Sequence, residues 1–61
     1  MRAYHRPNSS ERWKEILPYE AVYSSLGTDT VAAVEELFKV SGATDLILHT
    51  QWGEFRFESW G

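Results

Sequence analysis

The chain has 61 residues, no cysteine and a formal net charge of −3. So short a chain makes one domain and buries only about 60% of the surface its unfolded form exposes. No disulfide can compensate, and no cysteine/histidine cluster offers a structural zinc, so stability must come from the apolar core or from a partner subunit.

Three Trp, three Tyr and three Phe can build that core from few residues, since each aromatic buries about 150–250 Å². No apolar run approaches membrane-spanning length. Met1 to Pro7 carries charge with no apolar stretch behind it, unlike a secretory signal, and a cytoplasmic location is the default expectation. Arg2, Arg6, Arg12 and Lys14 against Glu11 and Glu15 leave residues 1–17 at +2, while residues 18–61 stand at −5. A weakly basic start precedes an acidic body.

Residues 1–8 show no apolar periodicity and contain Pro7-Asn8, which predicts a flexible basic arm ahead of a single compact domain over 9–61. Asn8, Ser9 and Ser10 are good N-caps, Glu11 lies three after Asn8, and Trp13, Ile16 and Leu17 follow at i, i+3, i+4. This pattern predicts a helix over 10–17 that Pro18 stops. Residues 18–26 fit a second helix, with Pro18 in the first position, Tyr19, Val22, Tyr23 and Leu26 on one stripe, and Gly27 past the end. A strand fits the same segment less well, because neither alternate set is cleanly apolar, although valine and two tyrosines favour strands. Residues 29–41 form the best-supported helix. Val31, Val34, Leu37, Phe38 and Ser41 point inward, Glu35 and Lys39 make an i, i+4 pair, and Gly42 is the stop.

The chain ends on an antiparallel β-hairpin, 44–50 and 54–60, around Gln51-Trp52-Gly53. A two- or four-residue loop pairs Thr50 with Phe55 and Leu48 with Phe57. It puts Leu46, Leu48, Phe55 and Phe57 on one face, with Ile47, His49, Arg56, Glu58 and Trp60 on the other. A three-residue loop with Gly53 in the left-handed position pairs His49 with Phe55 and scatters the apolar residues. Consistency of faces selects the first register, because a one-residue slip inverts every side chain. The expected fold class is therefore α+β, N-terminal helices packed on a C-terminal hairpin. Its expected core is Trp13, Ile16, Leu17, Val22, Tyr23, Leu26, Val31, Val34, Leu37, Phe38, Leu46, Leu48, Phe55 and Phe57.

No catalytic, cofactor or metal constellation stands out. Neither His5 nor His49 has ligand spacing with another histidine, and there is no Gly-rich phosphate loop. Ser24-Ser25 and Thr28-Asp29-Thr30 beside Gly27 are explained by helix capping. Glu35-Glu36, adjacent on a helix, point different ways, so the expectation is a protein that is not an enzyme. The order helix, helix, tight turn, helix, hairpin resembles the small winged-helix and Cro-like phage repressor folds, which would imply a nucleic-acid-binding regulator. The helix over 29–41 argues against it, offering Asp29, Glu35 and Glu36 to phosphates against one Lys39.

The favoured expectation is a non-catalytic, acidic protein-interaction module. It binds a larger partner protein, in the manner of a phage or mobile-element inhibitor or regulator, or it forms a homodimer. One helix layer covers one sheet face only, so the contact residues fall on the other face and the hairpin tip. They are Trp52, Arg56, Trp60, Ile47, Glu54 and Glu58, among them the residue types enriched in binding hot spots. A free edge strand adds a second route to association.

Overall fold

The computed structural model describes residues 1–59. Its elements are β1 (Arg2–Arg6), β2 (Lys14–Glu15), α1 (Ala21–Leu26), α2 (Thr28–Ser41), β3 (Asp45–Thr50) and β4 (Gly53–Glu58). The fold is α+β, two helices on a four-stranded antiparallel sheet of order β2-β1-β4-β3. The stretch expected to be a flexible arm is thus an inner strand: β1 pairs with β4 along its length, from Arg2 opposite Glu58 to Arg6 opposite Glu54.

The helix expected over 10–17 does not form. Asn8 does act as a cap, its side chain accepting from the Ser10 amide at 2.9 Å and its carbonyl from the Glu11 amide at 3.2 Å. The chain then runs extended, and the Ile16 amide bonds the Ala3 carbonyl at 2.8 Å. About two turns with a good cap are too short to hold a helix without tertiary support, and here the free edge of β1 takes the segment as a strand. The expected stripe is divided accordingly. Ile16 packs against the core, Trp13 lies under the Arg6 guanidinium with 4.1 Å to the ring centroid, and Leu17 is 75% exposed.

Residues 18–26 are helical in the main. Amide-to-carbonyl bonds from Ala21 to Pro18, Val22 to Tyr19 and Tyr23 to Glu20 form a tight first turn, and α1 follows. Gly27, at φ 90°, separates α1 from α2. The two helices are tied through Glu35, whose Oε2 accepts from the hydroxyls of Tyr19 at 2.8 Å and Tyr23 at 3.0 Å. Burial, with Glu35 second, pushes the Tyr19 hydroxyl pKa well above its ordinary value, and the bond to Glu35 raises that of Tyr23.

The hairpin turns through two residues, Gln51 and Trp52, with Thr50 opposite Gly53, Leu48 opposite Phe55 and Leu46 opposite Phe57. The faces are those expected, but the pairing is two residues tighter than Thr50 with Phe55. Thr50 makes the tight turn possible: its hydroxyl donates to the Gly53 carbonyl at 2.9 Å and accepts the Trp52 amide at 3.1 Å.

Ala3, Val22, Val31, Val34, Phe38, Phe55 and Phe57 form the buried core, with Ile16, Leu26, Leu46 and Leu48 packed around it. Ala3, from the supposed arm, is fully buried opposite Phe57. Three residues expected in the core lie outside it: Leu17, Trp13 on the far sheet face, and Leu37, 45% exposed.

Gly53 is where β1 closes on the hairpin. Its φ is +112°, and a Cβ there would collide with the Arg6 carbonyl oxygen and the Pro7 Cα. Both obstacles are backbone, so they cannot swing aside. Gly53→Ala is expected to cost about 1–3 kcal/mol for the backbone conformation alone, with more from the collision. Urea unfolding checks this, and an unchanged midpoint would show that β1 does not sit against the turn.

Candidate functional site

The sheet has two unlike faces. Side chains alternate along each strand, so Ala3, His5, Leu46, Leu48, Phe55 and Phe57 share the face under the helices. The opposite face carries Arg2, Tyr4 and Arg6 from β1, Glu54, Arg56 and Glu58 from β4, and Asp45, Ile47 and His49 from β3. It gathers four residues expected at a contact surface: Ile47, Glu54, Arg56 and Glu58. Trp52 stands apart in the turn, 61% exposed, and Trp60 lies outside the described residues.

This outer face is a lattice of opposite charges. Arg6 Nε donates to Glu54 Oε1 at 2.6 Å, and His49 Nδ1 lies 3.0 Å from Glu54 Oε2. Arg56 reaches Asp45 at 3.2 Å and Glu58 at 3.3 Å, and the Tyr4 hydroxyl donates to Glu58 at 3.1 Å. Arg6 also stacks on Trp13. Arg56 is therefore engaged within its own sheet, with its Nε buried and without a hydrogen-bond partner. Exposed ion pairs contribute little, but these are held by the strand register and by shared partners, which removes much of the ordering cost. The sequence pattern missed Tyr4, Arg6 and Trp13 as parts of this face. The alternation Arg2-Ala3-Tyr4-His5-Arg6 was available, but with only Ala3 and His5 inward its apolar signal is too weak to mark a strand.

Of the five large apolar side chains exposed among the described residues, Leu37 and Val40 lie on α2, Ile47 on β3, Trp52 in the turn and Leu17 between β2 and α1. Ile47 is 45% exposed on β3, and on α2 Ala33, Leu37 and Val40 form an exposed stripe beside the buried one, Val40 at 73%. Between α2 and β3 runs an open groove of about 460 Å³, lined by Asp29, Thr30, Ala33, Val34, Leu37, Leu46 and Leu48. Beyond it β3 is a sheet edge, paired on one side only.

A second cavity, about 370 Å³, lies under the turn between His5, Ile16, Ser25, Trp52 and Phe55. Its polar groups are turned to local backbone: His5 Nε2 donates to the Trp52 carbonyl at 2.8 Å and Ser25 Oγ to the Ala21 carbonyl at 3.5 Å. The His5 ring also packs on Phe55, centroids 4.7 Å apart. Histidine and serine are thus not arranged as base and nucleophile. Among the described residues there is no cluster of three metal-ligating side chains and no helix long and apolar enough to cross a membrane.

No family model matches the chain, and neither a curated protein nor a solved structure matches it.

The lattice makes a measurable demand on Glu54, which serves both Arg6 and His49 from a side chain only 15% exposed. Glu54→Ala is expected to lower stability by about 1.5–3 kcal/mol, the range for hydrogen bonds to charged groups. A double-mutant cycle with Arg6→Ala checks the cause: the two losses must couple by at least about 0.5 kcal/mol, and strictly additive losses would contradict the pairing.

Proposed function

We propose that this protein is a non-catalytic interaction module whose contact region is the side of the sheet ending in β3, together with the Trp52 turn. The observation that carries this reading is the location of the exposed apolar side chains. Four of the five, Leu37, Val40, Ile47 and Trp52, lie on α2, β3 and the turn, with Leu17 outside them, while the middle of the outer sheet face is occupied by ion pairs. Apolar groups next to an unpaired strand edge are what sheet-extending recognition uses. Backbone hydrogen bonds supply affinity, and alternate side chains supply specificity. A protein of this kind acts by occupying a partner, as an inhibitor or regulator does.

In this reading the outward contacts are fewer than the six residues expected from the sequence, of which Trp60 lies outside the described residues. Arg56, Glu54 and Glu58 support them by holding β4 and β3 in register, and Ile47 and Trp52 are the side chains offered outward. The nucleic-acid reading has lost its element order, since strands stand where the first helix was expected. Arg6, one of its four basic residues, is paired with Glu54 and stacked on Trp13.

Trp52→Ala is expected to change unfolding free energy by no more than about 0.5 kcal/mol, because the Trp52 side chain is 61% exposed. It is expected to weaken association by about 1–4 kcal/mol, the range of a hot spot. Sedimentation of the purified chain and stoichiometric capture from the producing cells measure that association. A protein that joins neither itself nor any partner, or whose association is indifferent to both Trp52→Ala and Ile47→Lys, would end this reading.

A further inference from the structure

Resting on that reading, we infer that the occupant of the β3 edge is a second copy of the chain. The copies join by antiparallel β3–β3 pairing about a two-fold axis at Ile47, which makes one eight-stranded sheet.

The two edges of the sheet differ. β2 has two residues, Lys14 and Glu15, followed shortly by Pro18, a short charged end of the kind that deters pairing. β3 has six residues with no lysine, no proline and no bulge against β4, and its one acidic residue, Asp45, is paired with Arg56. The backbone of β3 is also in a defined phase. The Ser59 amide donates to the Thr44 carbonyl at 3.0 Å, so residues 44 and 59 form a hydrogen-bonded pair. By alternation Leu46, Leu48 and Thr50 direct their amides and carbonyls to β4. Those of Asp45, Ile47 and His49 point out of the sheet.

Only those three residues can bond a new strand, which limits the registers, and the side chains select among them. With Ile47 at the axis, Ile47 meets Ile47 of the second copy, and Leu46 meets Leu48. Asp45 meets His49, so opposite charges oppose once His49 is protonated. Moving the axis by one residue sets Asp45 or His49 against Ile47, and moving it by two sets Asp45 against Asp45 or His49 against His49. The strand is complementary to itself in one register, which is what an isologous two-fold contact requires. On the outer face the charge lattice then continues across the axis, from Glu54 through His49 to Asp45 and Arg56 of the second copy. On the inner face both α2 helices lie on the same side of the joined sheet. The grooves containing Leu37, Leu46 and Leu48 meet there, and Ala33, Leu37 and Val40 have a counterpart to cover them.

The absence of cysteine makes the register directly testable in the full chain. Across a hydrogen-bonded antiparallel pair the Cα atoms stand about 5.5 Å apart, within disulfide range, whereas His49 would lie about 14 Å from His49 of the second copy. Under mild oxidation Ile47→Cys is expected to give a covalent dimer rapidly. His49→Cys alone is not, but mixed with Asp45→Cys it is expected to cross-link. Sedimentation of the unmodified chain from micromolar to millimolar concentration should show a reversible dimer. Ile47→Pro removes an amide that the hairpin does not use, so it should leave the fold intact by circular dichroism and raise the dimer dissociation constant by about tenfold or more. A chain monomeric over that range overturns the inference, as does cross-linking equally fast at 49 and 47. A monomer that nevertheless takes up a different protein, with uptake abolished by Ile47→Pro, would leave the interaction reading standing and show that the second copy is the wrong occupant. If Ile47→Pro fails to fold, the cysteine pairs still decide.

Discussion

Two short helices cover one face of a sheet, and every other feature of this molecule follows from what becomes of the uncovered face. The described residues hold two helices, and both pack on the inner face. The far face is instead mostly polar, with most of its charges paired to one another. Arg6, Arg56, Glu54, Glu58 and Asp45 are brought together by register alone, since partners directly opposite on adjacent strands are close enough to bond. Individually such pairs stabilise little. Their placement follows from the register that buries Phe55 and Phe57.

The lattice depends on β1. Without it β4 would be half-open, Glu54 would lose Arg6, Glu58 would lose Tyr4, and Ala3 would leave Phe57 uncovered. β1 lies close to the hairpin because Gly53 presents no side chain to it, and the His5 bond to the Trp52 carbonyl fastens the same corner. The start of the chain and its final hairpin are one unit, and the helices between them close over it. This places the vulnerable side of the domain at β3. Its inner leucines are covered only in part, and its outward backbone groups meet no strand.

How much of this could be read in the sequence depended on the length of each pattern. The helix at Thr28–Ser41 was legible because its apolar stripe runs through several turns, and the hairpin faces were legible because alternation continues through both strands. The exact pairing was not, since the Thr50 hydroxyl tightens the turn through backbone contacts that leave no periodic signature. The N-terminal third departs from its sequence pattern for a physical reason. Asn8 is a sound cap and Trp13, Ile16 and Leu17 have helical spacing, but a cap and three residues cannot outweigh an open strand edge, and β1 itself shows one small apolar residue, Ala3. Of the candidate site, Ile47, Arg56 and Glu58 share the face that strand alternation predicts, and Glu54 joins them there. The engagement of Arg56 with Asp45 and Glu58 could not be inferred, since it depends on three-dimensional neighbours.

The functional reading follows from the same division between satisfied and unsatisfied surface. The outer face answers its own charges, the helices cover the inner face, and the edge at β3 is left. Amide hydrogen exchange, followed residue by residue by NMR in dilute solution, tests this most directly. The account predicts that the amides of Tyr4 and Arg56, inside the sheet, are among the slowest to exchange. Leu46 and Leu48 should be protected, while Ile47 and His49 between and beside them exchange fast. Fast exchange at Tyr4, or protection of Ile47 equal to that of Leu46 and Leu48 in a demonstrably monomeric sample, would contradict a sheet built around β1 and open at β3.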